Sequence, residues 1–224
     1  MMQRILVWDV PTRVFHWLLV VSFAGAFLTA ESERYRDIHA VLGYTLLGLI
    51  VFRLVWGFAG TRYAQFRSFL FKPREIAEYL ASLANGNSVR YVGHNPAGSV
   101  AIFALLALGI ASGASGVMLL QDAGGEALEE LHELVSYAML AIVLLHVGGV
   151  IASSVKQREN LARAMISGYK SAQPDEGIRR SHAWLGVIML VLVAAFWIGY
   201  PATGLVPPSD SASQAEQHDD DDDD

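Results

Sequence analysis

Four of the seven histidines in this 224-residue chain are spaced so that they could hold planar metal cofactors at two depths. His132 and His146 are 14 residues apart. On one helix that separation is about 21 Å along the axis and only about 40° around it. A single helical face therefore carries an imidazole near each end. His39 can meet His132 at one depth from a different segment, and His16 can meet His146 at the other. The second match is looser, since His146 lies further from the nearest flanking cation than His16 does. A bare-metal cage would gather its ligands at one point, and no carboxylate lies within the apolar segments to complete a Zn or Mn shell. Iron porphyrin asks for two axial imidazoles and a broad apolar slot. The pattern could clamp two haems, His16 with His146 and His39 with His132 being the candidate ligand pairs. The chain has no cysteine, which excludes disulfides, thiolate sites, iron–sulfur clusters and covalent c-type attachment. The haems would be b-type and non-covalently held.

Such ligands must be carried by apolar helices, and the composition provides them. The chain is 53% hydrophobic and 17% charged, where soluble domains carry about 25% charge. Spans of membrane-crossing length are expected near 13–30, 38–58, 98–120, 128–153 and 182–201. The first lacks the small residues of a cleavage site and is read as a span rather than a signal peptide. Fourteen of the sixteen Lys and Arg residues fall in 1–13, 53–97 and 154–181, and only Arg34 and Arg36 lie on the other side. The positive-inside rule then puts the N-terminus in the cytoplasm and the C-terminus outside. The formal charge of −6 is accounted for by Asp219–Asp224. That tail should be disordered, with His218 solvated in it.

Between the spans, Pro73 followed by Ile76, Tyr79, Leu80 and Leu83 predicts a short helix lying on the inner membrane face. A second is hinted at over 155–166. Small residues make the slot: Gly43 one turn after His39, Gly148 and Gly149 after His146, and Gly109, Ser112, Gly113, Ser115 and Gly116 in the third span. Arg53, 14 residues after His39, could pair with a haem propionate or serve as a snorkelling inner anchor. His94, in Gly93-His94-Asn95-Pro96, could touch a propionate or a quinone headgroup or cap its loop. His182 opens the fifth span and rivals His16 as a ligand. Asp9, Arg53 and His94 are the inner-side groups available to a quinone.

Several of these motifs resemble the bacterial cytochrome b561 family, which includes the b-type subunits of nickel–iron hydrogenases. The run Val7-Trp8-Asp9-Val10-Pro11-Thr12-Arg13-Val14-Phe15-His16-Trp17 resembles the family's opening, in which the histidine is a haem ligand. His39-Ala40-Val41-Leu42-Gly43 and Phe52-Arg53-Leu54-Val55-Trp56-Gly57 are similar to its second helix. Gly93-His94-Asn95-Pro96-Ala97-Gly98 resembles the connector to its third. Leu131-His132-Glu133 and His146-Val147 resemble its fourth helix, which carries two ligands. The resemblance covers roughly residues 4–170 and implies the same ligand pairs by position.

The expected fold is all-α, an integral membrane helical bundle with a four-helix di-haem core and a fifth transmembrane helix. Residues 1–170 would form the cytochrome domain, 171–203 the extra helix and 204–224 the acidic tail. The implied function is a membrane cytochrome of the bacterial inner membrane, passing electrons between the quinone pool and a redox partner protein. That partner would be a hydrogenase-like enzyme or a periplasmic cytochrome c docking against Glu126, Glu129, Glu130 and the Asp tail. Nucleic acid is not an expected partner. Two other functions compete. A superoxide:quinone oxidoreductase needs a positive outer mouth, and here Arg34 and Arg36 stand among Glu31, Glu33 and Asp37. A non-redox metal or ion transporter would need its histidines in one cage or one path. No catalytic residue is assigned.

Overall fold

A computed structural model of the chain describes residues 2–85 and 89–204. The acidic tail lies outside the described residues. Five long apolar helices dominate: α1 (Val10–Thr29), α2 (Arg36–Ala59), α4 (Pro96–Leu120), α5 (Gly125–Gln157) and α7 (Ala183–Gly199). Each falls on an expected span. The short helix expected after Lys72 is α3 (Pro73–Ala84), started by Pro73 and by the Glu75 carboxylate accepting from the Lys72 backbone N–H at 2.6 Å. The hint of a helix over 155–166 resolves differently. Residues up to Gln157 continue α5, Arg158 ends it in a left-handed conformation, and α6 (Leu161–Ser167) follows.

Local chemistry sets the helix starts. Asp9 accepts from the Thr12 N–H at 2.8 Å and caps α1 ahead of Pro11, and Asn95 accepts from the Gly98 N–H at 2.7 Å and caps α4 ahead of Pro96. Both are the pairing of an N-terminal cap with Pro in the first turn. The α4–α5 turn is tight enough to need Gly124 at φ 101°, a conformation that costs a residue with a Cβ.

The helices pack in the order α7, α1, α2, α4, α5, each chiefly against its neighbours in that series. Phe15 of α1, Leu49 of α2 and Met189 of α7 form one apolar cluster, and Trp197 of α7 donates to Thr45 Oγ1 of α2 at 2.9 Å. At 33 residues α5 is about 50 Å long. That exceeds a hydrocarbon core of about 30 Å, so its ends stand clear of it. Only Met139 and Ser153 of α5 are fully buried.

A small folded cap, not expected from the sequence, closes the basic end of the bundle. β1 (Gln3–Leu6) pairs antiparallel with β2 (Tyr169–Ala172), Gln3 opposite Ala172 and Leu6 opposite Tyr169. Ile5, Val7, Trp8, Tyr63, Ala164 and Ala172 form its core. Lys170 is buried beneath it and donates to the Tyr91 and Val92 carbonyls at 3.0 and 2.9 Å. Burial lowers the pKa of its ammonium, Glu159 opposing the shift and Arg90 adding to it. The cap ties the first residues, the segment before α4 and the segment before α7 into one unit beneath the helix ends.

Candidate functional site

His39 near the start of α2 and His132 near the start of α5 come together at the end of the bundle opposite the cap. Their ring centres are 6.2 Å apart with the planes at 74°. A metal between two imidazoles has a bond of about 2 Å on each side, with each ring centre about 1 Å beyond its nitrogen. The sum is roughly 6 Å, so this pair fits an iron held axially from both sides. The hydrogen bonds agree. His39 Nδ1–H donates to the Ala26 carbonyl of α1 at 2.8 Å. His132 Nδ1–H donates to the Ser112 carbonyl of α4 at 3.0 Å and to Ser115 Oγ, also at 3.0 Å. The Ser115 hydroxyl proton is spent on the Ala111 carbonyl at 2.8 Å, so its oxygen is free to accept. With Nδ1 engaged, the lone pair of each imidazole sits on Nε2, the tautomer that ligates a metal.

A Cβ on Gly43, Gly148 or Gly149 would meet nothing within 4 Å, so these glycines border open space. A Cβ on Gly116 would come within 3.1 Å of the His132 ring, so this glycine lets α4 approach the histidine. Gly109 and Gly113 do a different job, as Ile50 and Leu47 of α2 press against them.

At the basic end His16 and His146 make no ring contact with each other. His16 stands edge-on to Trp17 at 5.3 Å, and its buried Nδ1 has no hydrogen-bond partner. His146 is half-buried. Around them is a set of polar side chains short of partners. Arg53 is 4% exposed, lies 4.7 Å over the Phe66 ring and leaves a buried Nη1 unpaired. It does not snorkel. His94 is packed between Trp8 at 4.7 Å and Phe69 at 4.4 Å, and its buried Nδ1 is also unpaired. Loop capping belongs to Asn95 instead. Burial pushes the His94 imidazole down to about 3, with Arg53, Lys170, His146 and His16 adding to the shift. These five groups therefore share one neighbourhood. Unpaired guanidinium and imidazole donors there are suited to the propionates of a haem.

His182, the rival to His16, adopts a left-handed conformation at the start of α7, with its ring edge-on to Trp56 at 5.5 Å and its buried Nδ1 unpaired. Asp9 is fully buried and accepts three hydrogen bonds. It accepts from Thr12 N–H, from Trp56 Nε1 at 3.1 Å and from Thr61 Oγ1 at 2.6 Å. It fastens α1 to the end of α2. Ser112 and Ser115, read from sequence as small packing residues, turn out to orient His132. A hydroxyl at the depth of an intramembrane histidine was the available signal. Among the described residues no three His, Cys, Asp or Glu side chains cluster as a metal cage.

The chain is 23% identical over 215 residues to a protein of Rhodobacter capsulatus named as a probable Ni/Fe-hydrogenase B-type cytochrome subunit, covering 75% of this chain and 82% of the relative. Proteins of the same name from Rhizobium leguminosarum bv. viciae and Azotobacter vinelandii are 21% and 22% identical, covering 74% and 75% of this chain and 88% and 89% of theirs. No solved structure gives a significant match. The family model for prokaryotic cytochrome b561 matches residues 7–168, from just before the Asp9 cap to just before β2. With that match over most of its length and five helices long and apolar enough to cross a membrane, the chain belongs to the prokaryotic cytochrome b561 family, the haem b membrane cytochromes of bacterial electron transfer.

Proposed function

We propose that this chain is a di-haem cytochrome of the inner membrane that carries electrons between the quinone pool and a redox partner enzyme. His39 and His132 would hold the outer haem, and His16 and His146 the inner one. The observation that carries this reading is the outer pair, 6.2 Å between ring centres with both Nδ1 atoms engaged. Bound haem supplies a one-electron ferric–ferrous couple at each level. The chain's residues do the rest. Backbone carbonyls of Ala26 and Ser112 fix the imidazole tautomers and raise their basicity. Two imidazoles at each level would hold the group and suit it to electron transfer rather than to oxygen chemistry. Arg53 and His94 hold the inner propionates, and Asp9 keeps the His16 helix at its depth. The quinone would be met at the inner end of the bundle.

The positive-inside split supports a cytoplasmic N-terminus and a periplasmic C-terminus. The names of the relatives make a hydrogenase-like enzyme the first partner to test. A periplasmic cytochrome c is the second, on the strength of exposed Glu126, Glu129 and Glu130 at the acidic end.

The test is haem content per chain, with the dithionite-reduced minus oxidised spectrum of detergent-purified protein. Two low-spin b haems are expected, with His39→Ala and His146→Ala each losing one. One haem in the wild type would mean that a ligand pair is misassigned, His182 being the first residue to replace. Folded, haem-supplied protein without haem would overturn the redox reading.

A further inference from the structure

A lateral groove of about 310 Å³ runs along the seam between α1 and α7. Val14, Leu18 and Val21 of α1 face Leu190 of α7 along it, and Ile166 of α6 closes its basic end. From Val10 to Val21 the α1 wall is about 16 Å long. Val21 is 55% exposed, so the groove opens toward lipid rather than into the bundle. Its walls are apolar except at one end, where Arg13 donates from Nη1 to the Ile166 carbonyl and keeps a buried Nε without a partner. Trp17, beside it, donates from Nε1 to the Met165 carbonyl at 3.3 Å.

Arg13 is not the only cation there. Arg163 lies on α6 one turn before Ile166, and the Val10 N–H donates to Ser181 O at 2.8 Å, which brings the Arg179-Arg180 pair beside the first turn of α1. The two ion pairs among the described residues, Arg74–Glu78 and Arg90–Glu159, involve none of these four. Arg13 lines the interfacial end of this apolar groove, and Arg163, Arg179 and Arg180 lie in the segments that meet α1 at that end, a setting that calls for an amphiphile with a negative head. A neutral quinone would leave that charge uncompensated.

We infer that the α1–α7 seam is a binding site for one anionic phospholipid, its phosphate at Arg13 with Arg163, Arg179 and Arg180 around it, and an acyl chain along Val14, Leu18, Val21 and Leu190. The lipid completes the surface of the helix that carries His16 and seals α7 against it. The inference does not depend on haem occupancy.

To test it, purified full-length protein is washed in detergent and equilibrated with mixed micelles of phosphatidylglycerol and phosphatidylcholine in equal amounts. Bound lipid per chain is then counted by native mass spectrometry, with helical content by circular dichroism as the check on folding. The wild type is expected to retain one phosphatidylglycerol in preference to phosphatidylcholine. Arg13→Gln should retain at least tenfold less. Val21→Trp fills the groove while leaving the Arg13–Ile166 hydrogen bond in place, and it should lose the lipid too. It decides the matter if Arg13→Gln does not fold. Equal retention of both lipids, unchanged retention in folded variants, or a co-purified quinone displaced by Val21→Trp would each overturn the inference.

Discussion

At the residue scale the two histidine levels differ in preparation. His39 and His132 arrive with Nδ1 already donating to carbonyls, so their rings are aimed before any cofactor binds. His16 has a buried Nδ1 without a partner, so its tautomer and ring angle are set only once a ligand is present. Support of this kind is worth about 10- to 100-fold in metal affinity. If the chain holds two haems as proposed, the inner one is therefore expected to leave first when purified protein is titrated with a competing haem-binding protein. The spectrum should fall in two phases, and His146→Ala should remove the fast phase while His39→Ala removes the slow one. A single phase of equal haems would show that the hydrogen bonds do not set retention.

At the element scale the cap is the part most sensitive to acid. His94 sits between Trp8 and Phe69 with its pKa lowered to about 3 by burial, where an unfolded histidine titrates near 6.5. Its folded form disfavours the proton. The contribution to stability is thus fully present above about pH 6.5 and is lost as pH falls from there toward about 3, at about 1.4 kcal/mol per pH unit within that window. Thermal unfolding measured from pH 7 to pH 4 should show a falling midpoint that flattens in His94→Phe. Sequence could not anticipate this arrangement. The five spans were legible because long charge-free runs have few alternatives, and α3 was legible from Pro73 and the positions of Ile76, Tyr79 and Leu83. The strands β1 and β2 are four residues each and pair across nearly the whole chain, and nothing local announces such a partner. Lys170 read as one more inside charge and proved to be a buried tether to the Tyr91 and Val92 carbonyls. Ser115 read as a small packing residue because spacing gives depth and not the direction of a hydroxyl.

At the scale of the whole molecule, the two ends carry different chemistry, with the cap and its cations at one and Glu126, Glu129 and Glu130 at the other. The absence of cysteine makes the orientation easy to read. In intact cells, a membrane-impermeant maleimide should label Glu130→Cys and leave Arg158→Cys unlabelled until the membrane is opened. The reverse pattern would invert the topology drawn from charge. The candidate ligands were legible at this scale because their depths follow from counting along helices. Their relative quality was not, because it depends on which neighbouring helix offers a carbonyl.

One consequence follows from the length of α5 between His132 and His146. The two levels are about 21 Å apart along its axis, roughly two-thirds of a hydrocarbon core of about 30 Å. If the two levels hold haems as proposed, an electron passing between them would cross a similar share of the membrane voltage, which is worth about 2.3 kcal/mol per charge per 100 mV over the full thickness. The share is about 1.5 kcal/mol, or roughly tenfold in the distribution of the electron between the levels. With the cell interior negative, inward transfer runs against the field and outward transfer runs with it. The membrane's own energisation would thus act as a brake on electrons arriving from an outer partner, slowing the delivery of reducing equivalents when the cell is already charged.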